Sequence, residues 1–168
     1  MAGIRTPAAK RQTWYLFTSK PAAATVTAFT AATDITCDIA ASGSYISPTA
    51  SDKITDPAVC EDTNSGAFGT GNYGGQIAPF ILLDASTGAY NLADNPAFEA
   101  FKVKNTIAYI GIREGVVHGT APATGHLVSV YEVRSDAPQR PQELNQYVKR
   151  IIPLDVIPVF ENVSLTAS

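Results

Sequence analysis

Apolar and polar residues alternate over several short runs along this chain, which is the spacing of strands buried on one face. Residues 13–17 (TWYLF) make an aromatic run, and residues 25–29 and 34–40 (DITCDIA) alternate with period two, placing Ile35, Cys37 and Ile39 on one face. Residues 106–113 (TIAYIGIR) set Ile107, Tyr109, Gly111 and Arg113 against Ala108, Ile110 and Ile112, and residues 127–134 (LVSVYEVR) alternate again. Residues 76–84 (QIAPFILLD) and 146–159 (QYVKRIIPLDVIPV) predict two more strands; Pro79, Pro153 and Pro158 confine their pairing to edges or bulges. Val163 and Leu165 continue the alternation towards the end.

One helix is predicted. Asn95 suits the N-cap, Pro96 the first helical position, and Glu99 the positive end of the helix dipole. Ala97, Phe98 and Phe101 form its apolar stripe, Lys102 and Lys104 sit at the negative end, and Asn105 suits a left-handed cap. About seven strands and one helix predict a mainly-β fold, a sandwich or barrel with one flanking helix.

Between residues 41 and 75 the alternation fails. Glycine, serine, proline and aspartate are frequent, with short extended pieces at 45–46 and 54. So long an unpatterned stretch inside a domain is usually functional. The expected organisation is a polar, basic arm over residues 1–12, a single domain over 13–168, and a long loop over about 41–75 that orders against a partner. Removal of residues 44–72 is expected to leave the fold intact.

Composition adds a second theme. Charged residues are only 16% of the 168 residues, below the usual quarter, while 45% are hydrophobic. Disorder would reverse both trends, so surface destined for contact with other protein explains them better. Net charge is −3, which excludes a nucleic-acid clamp. The charges are also segregated. Arg5, Lys10, Arg11 and Lys20 occupy the first twenty residues without an acid, whereas residues 54–99 hold Asp56, Glu61, Asp62, Asp84, Asp94 and Glu99 without a base. Opposed segments of this kind suit head-to-tail self-association.

Chemistry does not emerge. The glycines of GAFGTGNYGG precede a strand in an anionic stretch and lack the lysine of a phosphate loop. His118 and His126 flank a turn with only Glu114 as a possible third metal ligand. Asp56, Glu61 and Asp62 read as a solvated cluster, and Cys37 and Cys60 as buried, reduced structural residues. Lys149 and Arg150 are too few for the phosphate contacts of a nucleic-acid binder. No serine sits in a nucleophile elbow, no apolar run approaches a membrane span, and the N-terminal residues lack a signal-peptide core. Neither an enzyme nor a cofactor is expected. Trp14, in an alternating strand, is expected in the core rather than on an exposed aromatic platform.

A resemblance sharpens the reading. The basic arm leading into TWYLF, the segment ITDPAVCEDTNSGAFGTGNYGGQI, the passage FEAFKVKNTIAYIGIREG, the strand HLVSVYEVRSDAPQRP and the closing VKRIIPLDVIPVFENVSLTAS follow in this order. Over roughly residues 10–168 they resemble the major tail (tail tube) proteins of siphophages, in particular the type of actinobacterial phages. The resemblance implies a virion structural protein that forms hexameric rings, stacked into a tube whose lumen conducts phage DNA. It implies assembly in the host cytoplasm, with the tape measure protein, the tail terminator and tail-tip proteins as further partners. Contacts between rings would then fall to the arm and the long loop: Arg5, Lys10, Arg11, Tyr45, Asp56, Glu61, Asp62, Phe68 and Tyr73. A tail terminator or head–tail joining protein is the alternative within virions, and a β-sandwich binding or decoration module the alternative outside that class.

Overall fold

The computed structural model describes residues 10–54, 67–68, 71–141 and 147–167. In chain order the elements are β1 (Gln12–Phe17), α1 (Val26–Ala31), β2 (Thr33–Asp34), a single 3-10 turn (Thr36–Asp38), β3 (Tyr45–Thr49), β4 (Lys53–Ile54), β5 (Ala67–Phe68), β6 (Asn72–Ile77), α2 (Pro96–Phe101), β7 (Ile107–Glu114), β8 (Leu127–Ser135) and β9 (Ile152–Ser164). Seven strands form one sheet in the order β2-β1-β7-β8-β9-β6-β3, and β4 and β5 pair separately. The named pairings of the large sheet are all antiparallel. The fold is thus mainly β, as expected.

Both faces of the central strands are covered. Even-numbered β7 residues Ala108, Ile110 and Ile112 join Trp14, Tyr131, Val133, Ile152 and Leu154 in one core, closed by Ala97 and Phe101 of α2. Across the sheet, Tyr15, Phe17, Phe29, Val128, Val130 and Leu165 form a second core. Residues 38–40 tie the β1 side to the segment after β6: Ala40 N–H donates to Ala78, Phe80 N–H to Asp38, and Ile39 bridges Pro79. The sheet therefore curls over the first core.

Several expectations need correction. Residues 25–29 are not a strand. The Thr25 hydroxyl accepts from Ala28 N–H (3.2 Å) and caps α1, so the described residues hold two α-helices where one was expected. Phe29 of α1 is fully buried, edge-on to Tyr15 (5.3 Å) and Phe17 (5.1 Å). Of residues 34–40 only Asp34, the end of β2, is in a strand. The Asp34 carboxylate accepts from the Thr36 amide (2.9 Å) and hydroxyl (2.6 Å), winding the chain into the 3-10 turn. Ile35 and Ile39 still meet in one core, by helical rather than alternating spacing, while Cys37 is exposed instead of buried. Cys60 lies outside the described residues.

The run 76–84 is broken at Pro79: β6 ends at Ile77, and beyond it only isolated bridges follow. Residues 41–75 contain β3, β4, β5 and most of β6, with β3 and β6 paired from Tyr45↔Gln76 to Thr49↔Asn72. Deleting residues 44–72 would remove the edge strand β3. β9 is an inner strand despite its prolines. Pro153 precedes the first β8 rung (Ser135↔Leu154), and Pro158 lies beyond the last β6 rung (Gly75↔Leu154), so each faces one paired neighbour only. Two register shifts against β8, between Val128/Val130 and Val130/Tyr131, put extra residues into β9.

Candidate functional site

The β3–β6 hairpin is the element that most distinguishes this molecule from a closed globule. β3 is a sheet edge. β6 pairs with β9 only over Gly75–Ile77, so the remaining rungs of the hairpin, out to Thr49↔Asn72, join its two strands to each other alone. Beyond them β4 and β5 continue the pairing through Lys53↔Phe68 and Ile54↔Ala67. An arm of ladder thus extends past the body.

Its root is fixed by close packing and hydrogen bonds. A Cβ on Gly75 would stand 2.8 Å from Val156 Cγ2 and 3.3 Å from Ile46, so only glycine lets β6 lie against β9 here. Gln76 Nε2 donates to Gly43 O (3.0 Å) and Ala78 N–H to Ser44 Oγ (3.0 Å). Glu161 of β9 accepts from the Tyr73 hydroxyl (2.6 Å) and the Tyr131 hydroxyl (2.8 Å), joining β6, β8 and β9. Burial and this carboxylate push the Tyr131 hydroxyl well above the ordinary tyrosine range, and the hydrogen bond to Glu161 raises Tyr73 likewise.

The residues assigned to contacts from the sequence are only partly brought together. Tyr45 stands half exposed on the edge strand. Tyr73 turns its hydroxyl to Glu161 of its own chain. Lys10 and Arg11 lie beside the β7–β8 turn: His118 N–H donates to Lys10 O, and Arg11 Nη1 donates to Gly115 O (3.3 Å). A cleft of about 380 Å³ nevertheless runs from Lys10, Gln12 and Trp14 to Ser44 at the hairpin root. Phe68 pairs by its backbone in β5. Arg5, Asp56, Glu61 and Asp62 lie outside the described residues.

The groups that could have carried chemistry are engaged elsewhere. His118 pairs with Asp34 (3.1 Å), and His126 Nδ1 accepts from Ala123 N–H (3.2 Å). Among the described residues no three metal-ligating side chains converge. Gly74 and Gly75 are strand residues of β6, not a phosphate loop. Trp14 is 5% exposed and no platform.

Two features escaped the sequence. One is an apolar groove of about 390 Å³ between residues 80–83 and 147–148. Its signal was the run FILL, whose pattern does not distinguish a buried strand from an exposed one. The other is Arg113, which is 1% exposed. It donates to Thr13 Oγ1 (3.2 Å) and lies over the Tyr15 ring, while its Nε and Nη1 have no partner among the described residues. Alternation placed Arg113 on the face with Tyr109 and Gly111, but could not tell that α1 covers that face.

Edge strand, hairpin arm and low charge describe a subunit, and comparison with known proteins agrees. Residues 1–166 match the family model described as phage tail tube protein. No curated protein matches the chain. The chain belongs to the phage tail tube protein family, a virion structural and non-enzymatic family whose members build the tail by self-assembly.

Proposed function

We propose that this tail tube protein is the repeating subunit of a long non-contractile tail of the actinobacteriophage type. Copies form hexameric rings, the rings stack, and the lumen conducts DNA during ejection. Assembly takes place in the host cytoplasm around the tape measure protein, and ends at the terminator and tail-tip proteins.

The observation that carries this reading is the hairpin arm on an edge strand. A sheet edge left open invites pairing with another chain unless it is blunted, and Pro48 is the only proline on β3. Tyr45 and Thr49 on that edge are apolar or neutral rather than charged. Beyond the rungs that β9 holds, the backbone of this arm pairs only within the hairpin among the described residues, which supports contact with the next ring. The net charge of −3 suits a bore through which a polyanion passes without sticking.

Negative-stain microscopy of the purified chain tests the reading. Tubes of indefinite length built from stacked rings are expected. Single rings that never stack would favour the terminator reading, and a persistent monomer under virion-like conditions would count against both.

A further inference from the structure

We propose that the groove between residues 80–83 and 147–148 is the receptor on each subunit for the acidic segment, residues 52–62, of a second copy. The proposal rests on the tube-subunit reading above and adds the surface that receives the arm.

The groove is lined by Phe80, Ile81, Leu82, Leu83, Tyr147 and Val148. In the subunit this lining is open to solvent: Leu82 is 48% exposed, Leu83 47%, Val148 52% and Tyr147 84%. Contiguous apolar surface of this kind on a soluble protein marks an interaction site. The walls are also held in place. Ile81 N–H donates to Val148 O (2.8 Å), Phe80 pairs with Lys149, and the Phe80 and Tyr147 rings meet edge-on at 6.0 Å. Buried Asn95 accepts from Leu82 N–H (2.7 Å) and donates to Leu82 O (3.0 Å). This clasp keeps the Leu82 backbone satisfied while its side chain faces outward. A site fixed before its partner arrives loses little order on binding.

Charge selects the occupant. Arg150 lies two residues beyond Val148, and the Gln139↔Ile151 bridge lays Arg140 alongside, while Lys149 between them is buried. Among the described residues neither arginine forms an ion pair within 4.0 Å. The chain's own acidic stretch complements them: residues 52–62 contain Asp52, Asp56, Glu61 and Asp62 against the single base Lys53, with Ile54 and Val59 interspersed. An apolar floor beside a basic rim fits an apolar, acidic segment. A tube supplies that segment from a neighbouring subunit at high local concentration.

Assembly of the full chain, followed by sedimentation and negative-stain microscopy, tests the proposal. Tyr147→Asp should stay folded by circular dichroism, because the side chain is already 84% exposed, and should raise the protein concentration needed for tubes by about tenfold or more. Leu82→Asp should do the same. Tubes forming at the wild-type concentration in both variants would overturn the groove while leaving the subunit reading intact. A wild-type chain that never assembles would overturn both. The occupant is tested by charge exchange. Arg140→Glu with Arg150→Glu in one protein, and Asp56→Lys, Glu61→Lys and Asp62→Lys in another, should each fail to form tubes alone and should assemble when mixed. If only a single chain carrying all five changes assembles, the hairpin covers the groove of its own chain, and the proposal is wrong. Failure of both the mixture and the combined chain would show that another segment occupies the groove.

Discussion

At the scale of single residues, the second core is organised by what one glycine leaves out. A Cβ on Gly111 would stand 2.6 Å from Phe17 Cε2 and 3.1 Å from Phe29 Cε1. The aromatic trio of Tyr15, Phe17 and Phe29 fits only because β7 is bare at that point. Gly111→Ala is expected to cost about 1–3 kcal/mol in chemical denaturation of the unassembled subunit, as overpacking does. A stability equal to wild type would show that the trio can shift aside. Arg113 lies two rungs away on the same face, over Tyr15, with a guanidinium that is buried and only partly bonded. Burying an unpaired charge is expensive, and an unbranched apolar side chain fills similar space without that penalty. Arg113→Met should leave stability unchanged or raise it by about 1–4 kcal/mol. A loss of several kcal/mol in the same experiment would instead assign the guanidinium a carboxylate partner.

At the scale of elements, the hairpin divides into a root built into the sheet and an end that is not. Thr49 and Asn72 face each other across the two strands. A two-residue Asn-Gly turn fits that separation, so replacing residues 50–71 with it should close the arm without disturbing the body. The shortened chain is expected to keep its circular dichroism spectrum and to lose tube formation; loss of the spectrum would place the arm's end in the core. Legibility also divides by element. β1, β7 and β8 are legible as strands because each contributes to two cores, and the faces of β7 follow residue by residue from its alternation. α2 was legible through Asn95-Pro96, although the Asn95 side chain clasps Leu82 rather than capping its helix. The left-handed backbone at Asn105 (φ 65°) was also foreseen, one turn after the helix proper ends. α1 was not legible, since its threonines and valine favour strands and a single Thr25 cap overrides them. β3 and β6 were legible only at 45–46 and from Gln76 on, because Pro48 and the glycine pair Gly74–Gly75 break the pattern of YISPT and NYGGQI. Their pairing comes from β9 and from each other. The receiving groove was invisible for a related reason: exposure belongs to the tertiary structure, and FILL reads alike inside and out.

At the scale of the whole molecule, tyrosines couple the fold to alkaline pH. Tyr131 is held above the ordinary value of 10.0 chiefly by burial, with the Glu161 carboxylate adding to it. Tyr73 is raised first by its hydrogen bond to Glu161. Tyr90, half screened by α2 and bonded to Glu99, is pushed up to about 12. A raised folded value means that the unfolded chain releases these protons first. Their contribution to stability is therefore full below pH 10.0 and is lost as pH climbs through the folded values. Unfolding midpoints measured from neutral pH upward should stay level with respect to these groups and then fall above about pH 10. Tyr131→Phe should flatten part of that fall. A curve whose shape is the same in the variant would remove Tyr131 from the account.

β9 runs without interruption from the hairpin's backbone rungs, at Ile152–Leu154, to Ser164 beside the far core. Its rungs to β6 lie side by side, perpendicular to the strands. Tension applied along the arm would be shared by all of them at once instead of peeling them singly. It would then pass into a continuous covalent backbone anchored along β8. In mechanical terms the subunit is a tether spliced lengthwise into its sheet, and a column of such subunits would resist stretching better than its modest hydrogen-bond count at the joint suggests.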